Sequence, residues 1–332
     1  MKNQTVNLIN LYSSIGFSLL SIFFSGLESR AESLSSLKNN SVPNKIKWVS
    51  YDKFSKDKTI GTAIEESKEP NVQLITNASS PTPLDIWAPS GPFVKPLVGH
   101  QYALGYFYTS DNQMWDFSSE LYFKHLDNVV DYVDAADLEF NNHLETEILY
   151  GKGRAYGLEL MLEKKTGPLT GWLSYTFAKT ESLIDGYGSN DPGINNGDWY
   201  PNPQDKTHDF SLVAFYKLNQ KWSFSSNFVY ATGIPTNYPV AKYEYEGIFI
   251  PHYSGARNQE RLEEYHRLDF AATYRPKGND LREWVFSIYN IYNRRNASSL
   301  YFRESEDNIG QTEAVQLSVF PIIPSVSYNF RF

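Results

Sequence analysis

The chain has no cysteine among its 332 residues. That excludes disulfide scaffolds, thiol nucleophiles and Cys-ligated metals. It also lacks a basic surplus, since 30 Lys and Arg face 38 Asp and Glu for a formal net charge of −8. A nucleic-acid partner needs a basic footprint and is not expected. Beyond Leu27 no uncharged apolar run reaches the length of a membrane-spanning helix. The histidines at 100, 125, 143, 208, 252 and 266 form no HxxxH pair, and no GxSxG elbow or phosphate-cradling glycine loop occurs. Enzymatic activity, a bound metal and a cofactor are therefore not expected. What is plentiful is aromatic: 7 Trp, 24 Tyr and 21 Phe make up 16% of a chain that is only 41% hydrophobic. Two-faced strands accept such rings while keeping the average polar.

The first 31 residues stand apart. Leu8 to Leu27 carries no charge, Lys2 lies upstream, and Ser29-Arg30-Ala31 offers small residues for a cleavage site. A secretory signal, a single membrane anchor and an apolar segment of neither kind all fit. Residues 32–74 are rich in Ser, Lys, Glu and Asn, which reads as a linker or poorly ordered arm. Within it, Lys47 to Tyr51 is a candidate short strand. The fold proper is expected over 75–332.

From His100 the sequence alternates with period two, and nine strands are predicted near 101–109, 115–127, 153–165, 169–182, 208–218, 221–232, 265–275, 282–293 and 312–332. Tyr156, Leu158, Leu160 and Leu162 share one face of the third, and Gly157, Glu159, Met161 and Glu163 the other. A soluble β-sandwich would turn the apolar face inward, whereas an outer-membrane barrel would turn it to lipid. Several strands exceed the 5–6 residues usual in sandwiches and reach the roughly 9–11 of a tilted membrane strand. The connections alternate strictly between short and long, as periplasmic turns and outside loops do. Trp115, Trp172, Trp222, Tyr230, Tyr274, Trp284 and Tyr328 gather toward strand ends, where headgroups lie. The expected class is all-β, an antiparallel up-and-down transmembrane barrel portion with an irregular N-terminal region. Strand parity asks for one more strand upstream, at Val72–Ser79 or Lys45–Phe54, giving about nine or ten.

Several segments resemble the barrels of TonB-dependent outer-membrane receptors, especially the Bacteroidetes type. They are Ser80-Pro-Thr-Pro-Leu-Asp-Ile-Trp-Ala-Pro-Ser90, Gly153-Arg-Ala-Tyr-Gly-Leu-Glu-Leu160, Gly171-Trp-Leu-Ser-Tyr-Thr-Phe177, Asn202-Pro-Gln-Asp-Lys-Thr-His-Asp209 and Pro321 to Phe332. The resemblance implies an outer-membrane location, uptake of a metal chelate or an oligosaccharide, and a barrel of about 22 strands filled by a plug. A chain of this length does not hold so many strands, and neither a plug nor a TonB box is found. The expectation is the last strands of such a receptor, not competent for TonB-coupled uptake alone. A self-contained barrel of about ten strands and a secreted carbohydrate-binding sandwich are the alternatives. Tyr328, Phe330 and Phe332 resemble the terminal signal read by the barrel-assembly machinery.

Glu159 and Glu163 could be read as a carboxylate pair, although a lumen wall needs such residues anyway. Asp185, Asp191, Asp198 and Asp205 in the loop 183–207 match no calcium-binding spacing, and acids with Gly and Asn are ordinary turn chemistry. Trp199 and Tyr200 lie in that loop, and Tyr243, Tyr245 and Tyr253 in the next. Rings on long loops are candidate ligand platforms, the alternative being that they pack the loops together.

Overall fold

The computed structural model describes residues 47–330 apart from 56–57, 69–71, 78–83, 90, 92, 134–135, 137–140, 142, 187–191, 240, 246–247, 253–255, 277–281 and 306–309. Among the described residues twelve strands form one continuous antiparallel sheet: eleven follow one another along it, and the two-residue strand Tyr200–Pro201 pairs beside Leu169–Leu183. The eleven begin with β1 Lys47–Ser55, β2 Lys58–Lys68, β3 Val98–Thr109, β4 Trp115–Tyr132, β5 Ile148–Lys164 and β6 Leu169–Leu183. Then follow β7 His208–Lys217, β8 Trp222–Ala231, β9 Tyr265–Tyr274, β10 Arg282–Tyr289 and β11 Ile323–Phe330. Among the described residues β1 and β11 each pair on one side only, so the sheet is not closed.

Every strand expected from His100 onward is present, with one division. The predicted strand 312–332 is two elements: Thr312–Leu317 pairs with Ser299–Glu304 as a loop ribbon, and Ile323–Phe330 joins the sheet. Pro321 lies at the break, and Pro324 is the second residue of Ile323–Phe330, which pairs on one side only among the described residues and so tolerates a missing donor. Upstream, the stretch 32–74 read as an arm contains β1 and β2, and β2 pairs with β3 along its length. Val72–Asn77, a candidate for the extra strand, instead pairs with Leu84–Pro89 in a separate ribbon. Residues 1–31 and Phe332 lie outside the described residues.

Short and long connections alternate throughout. The short ones are built by side chains that replace strand hydrogen bonds. After β3, Asn112 Oδ1 accepts from Met114 N at 3.0 Å, and Ser110 Oγ accepts from Trp115 N at 2.9 Å. After β7, Asn219 Oδ1 accepts from the N–H groups of Lys221 and Trp222 at 2.8 and 2.9 Å. Asn and Ser make such turns because their short side chains mimic backbone acceptors. After β5 the turn relies on Gly167, whose φ of 104° suits glycine.

Register places the apolar residues in rows. Leu104 pairs with Leu121, Leu121 with Leu158, and Leu158 with Phe177. Further along, Trp222 pairs with Tyr274, Tyr274 with Trp284, and Trp284 with Tyr328. These residues are not a buried core. Leu104, Leu121, Phe177, Leu212, Phe270, Phe286 and Val326 are all exposed. The opposite face carries Glu120, Glu159, Ser174, Ser211, Asn227, Asp269 and Ser287, alternating with those residues along the strands. A sandwich would cover the apolar face with a second sheet. Here a belt of large apolar side chains is open, which is the arrangement lipid requires. Most of the few buried apolar residues sit at the long-loop ends of strands, as Tyr132 with Ile148, and Ile184 with Ile194 and Tyr200, while Val213 is buried mid-strand in β7.

Candidate ligand-facing loop cluster

β4, β5 and β6 have 18, 17 and 15 residues, more than the roughly 9–11 that cross the hydrocarbon. At about 3.3 Å per residue the surplus is roughly 13–23 Å of strand at the long-loop end. There β4 carries a bulge between Asp127 and Val129, with Asn128 at φ 60° and its Nδ2 donating to Pro96 O at 2.9 Å. Below the bulge the even-numbered residues of β4 share the polar face with Glu159. Above it Asp131 pairs with Leu149, which lies on that same polar face of β5. The one-residue shift thus turns Asp131 inward, as a slip by one flips every side chain.

Asp131 organises the mouth. Its Oδ2 accepts the Tyr200 hydroxyl at 2.5 Å, and its Oδ1 accepts from Arg257 Nη1 at 2.7 Å. Arg257 is 9% exposed and also donates to Tyr132 O at 2.7 Å. Its main chain is clasped by Asn195, whose Oδ1 accepts from Arg257 N at 2.6 Å and whose Nδ2 donates to Arg257 O at 3.2 Å. Asn258 follows, buried: its N–H donates to Asn237 Oδ1 at 2.6 Å and its Nδ2 to Pro201 O at 2.9 Å. A second clasp lies beside it. Asp205, 1% exposed, accepts from Arg261 Nη2 at 2.5 Å and from Thr180 N at 2.6 Å. The loops 184–207 and 232–264 are thereby joined to one another and to the end of β4. Each buried charge has an opposite partner, which burial demands. Burial, then the charge of Asp131 and the bond to it, push the Tyr200 phenol well above its ordinary value.

The cluster holds a tyrosine, two ion pairs and amides, with no nucleophile activated by a base. Among the described residues no three His, Asp or Glu side chains gather as a metal site. Of the loop aspartates, Asp205 is bound to Arg261, Asp185 bridges by its backbone to Gly193, and Asp191 lies outside the described residues. Glu159 faces Glu120 across β4 and β5, and Glu163 faces Asp116, so the two form wall rungs.

The aromatic loop residues go to different places. Tyr200 is fully buried with its hydroxyl on Asp131, so it packs the loops together and offers no exposed ring. Trp199, half-buried, stacks on the Arg154 guanidinium at 4.1 Å. Tyr243 is 54% exposed, in the ribbon Ala241–Tyr245 paired with Ile248–His252. Lys242 of that ribbon donates to Gly310 O of the next long loop. Tyr245 ends the same strand, and Tyr253 lies outside the described residues. Tyr328 packs on Trp284 with ring centroids 4.7 Å apart, and Phe330 is exposed beside Arg282 in the register. Asp131, Arg257, Asn258 and Arg261 went unread in the sequence. Asp131 is an isolated acid at a strand end and the others are isolated polar residues of a long connection, and only the bulge and the loop crossing bring them together.

The sequence model of the family described as TonB dependent receptor-like, beta-barrel matches residues 61–293. No curated protein sequence matches. Among solved structures, the ferric-catecholate import receptor Fiu of E. coli aligns with a TM-score of 0.53 at 15% identity, covering 85% of this chain and 34% of that one. The siderophore receptor PiuA of Acinetobacter baumannii aligns with a TM-score of 0.53 at 16% identity, over 84% and 34%. The ferric yersiniabactin uptake receptor FyuA of Yersinia pestis gives 0.53 at 14% identity, over 84% and 35%. The chain spans about a third of the length of these structures, and at such identities the likeness is one of fold.

Proposed function

Since the chain belongs to the TonB-dependent receptor β-barrel family, we propose that it forms part of the wall and outer mouth of an outer-membrane receptor for a large nutrient. The nutrient is a metal chelate or an oligosaccharide. The observation that carries this reading is the pair of long loops locked over the polar face by Asp131, Tyr200 and Arg257. Such a lock holds a mouth open at fixed shape, and binding surfaces work best when held rigid beforehand. Tyr243 on its ribbon is a contact for the nutrient, with Tyr245 and Tyr253 along the same loop. That the fold neighbours named above import iron chelates favours the chelate. Among the described residues the sheet has two unpaired edges, which hydrocarbon does not tolerate. Further strands therefore complete the barrel, and uptake requires them together with a plug and TonB. The assembly machinery engages the strand of Tyr328 and Phe330, together with Phe332 two residues on in the sequence.

The test is uptake by cells lacking their own ferric-chelate receptors. They express this chain alone or with the other strands and plug of a relative, and are given labelled ferric chelate or labelled oligosaccharide. Uptake only in the completed form is expected. Uptake by the chain alone, or in neither form, would contradict the proposal.

A further inference from the structure

The outward face holds a second, unassigned cluster at the long-loop end. Four strands supply it rung by rung. The lowest rung is the row of Leu104, Leu121, Leu158 and Phe177. Two residues further along each strand lie Tyr102, Phe123, Tyr156 and Lys179, paired in that order. Two further on lie His100, His125, Arg154 and Glu181, again paired in order. The next rung holds Val98, Asp127, Lys152 and Leu183. Directly paired residues and those two apart share a face, so all four rungs look outward with the apolar belt. At two residues per rung the charged row stands about 13 Å above the Leu row.

The chemistry changes in an ordered way: aliphatic, aromatic, then cationic. Glu181 is buried, and its two oxygens hold Lys179 Nζ at 2.8 Å and Arg154 Nε at 2.7 Å. It therefore acts as a peg that fixes two cations rather than as an exposed acid. Trp199 covers the back of the Arg154 guanidinium, which makes no other hydrogen bond among the described residues. Lys152 is exposed above them. His125 meets Asp127 at 3.3 Å, which is the one acid open to solvent in the group. Arg with a planar fork and Lys with a point charge are the usual partners of phosphate oxygens.

We propose that Lys152, Arg154 and Lys179, with Trp199, form a binding site for the phosphates of an outer-leaflet glycolipid. This rests on the membrane-barrel reading above. The acyl chains would lie along the Leu and aromatic rungs and the phosphorylated sugar on the cations. Trp199 thus serves the headgroup layer, where amphipathic rings gather, and not the nutrient. Each cation near a membrane surface contributes roughly 1 kcal/mol toward anionic lipid, about fivefold in affinity.

The test is photo-crosslinking in outer membranes of cells expressing the full chain together with the strands and plug of a relative that complete the barrel. The photoreactive p-benzoylphenylalanine replaces Phe123 on the outward face or, as control, its neighbour Tyr122 on the inward face. A phosphate-labelled glycolipid adduct is expected at 123 and not at 122. Lys152→Glu, at an exposed side chain, should lower its yield at least about fivefold. The combined change Arg154→Gln, Lys179→Gln and Glu181→Gln removes the whole clasp without stranding a buried charge, and should do the same. An adduct at 123 unchanged by Lys152→Glu overturns the site while leaving the barrel intact. An adduct at 122 and not at 123 overturns both, as does absence of the chain from the outer-membrane fraction.

Discussion

Tyr200 donates its hydroxyl to Asp131 Oδ2 at 2.5 Å across 69 residues of sequence. That bond, with Arg257 on the other oxygen of the same carboxylate, fixes two long loops to one strand end. Asp131→Ala removes the carboxylate that accepts from both Arg257 Nη1 and the Tyr200 hydroxyl. Removing one member of a buried pair costs up to about 3–5 kcal/mol. Tyr200→Phe removes a single bond and should cost about 1–3 kcal/mol. Limited proteolysis of membranes should cut the loops 184–207 and 232–264 readily in Asp131→Ala and less so in Tyr200→Phe. The strands should stay protected in both.

The same bond has a pH signature. The folded Tyr200 phenol ionises above its unfolded value, about 10. Its contribution is thus fully present below pH 10 or so and is lost only as pH rises through the higher folded value. Loop protection should be level through the neutral and mildly alkaline range. In ultraviolet difference spectra at high pH, one tyrosine fewer should ionise late in Tyr200→Phe than in the native chain.

The two faces respond differently to charge. Leu160 lies on the outward face between Ser119 and Tyr175, and Ser211 on the inward face between Ser174 and Val229. Arg near the middle of a lipid-facing strand costs about 2–4 kcal/mol, while inward positions accept it. Heat-modifiable migration should be lost in Leu160→Arg and kept in Ser211→Arg.

The strand pattern was legible because membrane strands need alternation over their whole length. Leu158, Leu160 and Leu162 against Glu159, Met161 and Glu163 admit few other readings, and the short turns announce themselves with Asn, Ser and Gly. β2 was not legible. Its residues Lys58, Glu65, Glu66 and Lys68 are those of a solvated arm, and only pairing with β3 makes them a strand. The loop cluster was hidden for another reason. A bulge at Asp127 decides which way Asp131 points, and bulges leave little trace in a single sequence. Tyr200 and Trp199 are adjacent aromatics, yet one is buried under the mouth and the other lies on Arg154, because neighbours along an extended chain face opposite ways.

Assembly gives a further expectation. Tyr328 and Phe330 expose alternate rings beside Trp284, and Phe332 extends the same alternation in sequence. Deleting Phe332 should lower the amount of chain recovered in the outer membrane while leaving the circular dichroism of refolded material unchanged. Equal recovery would remove this strand end as a recognition element.

The central claim is that the apolar face meets lipid and the polar face meets water. With no cysteine in the chain, single cysteines can be placed anywhere without background. Spin labels at each position from 156 to 163 in β5 should report alternating access in membranes. Labels at 156, 158, 160 and 162 should relax with oxygen dissolved in the lipid, and those at 157, 159, 161 and 163 with a water-soluble nickel chelate. The opposite phase, or no alternation, would contradict a lipid-facing sheet.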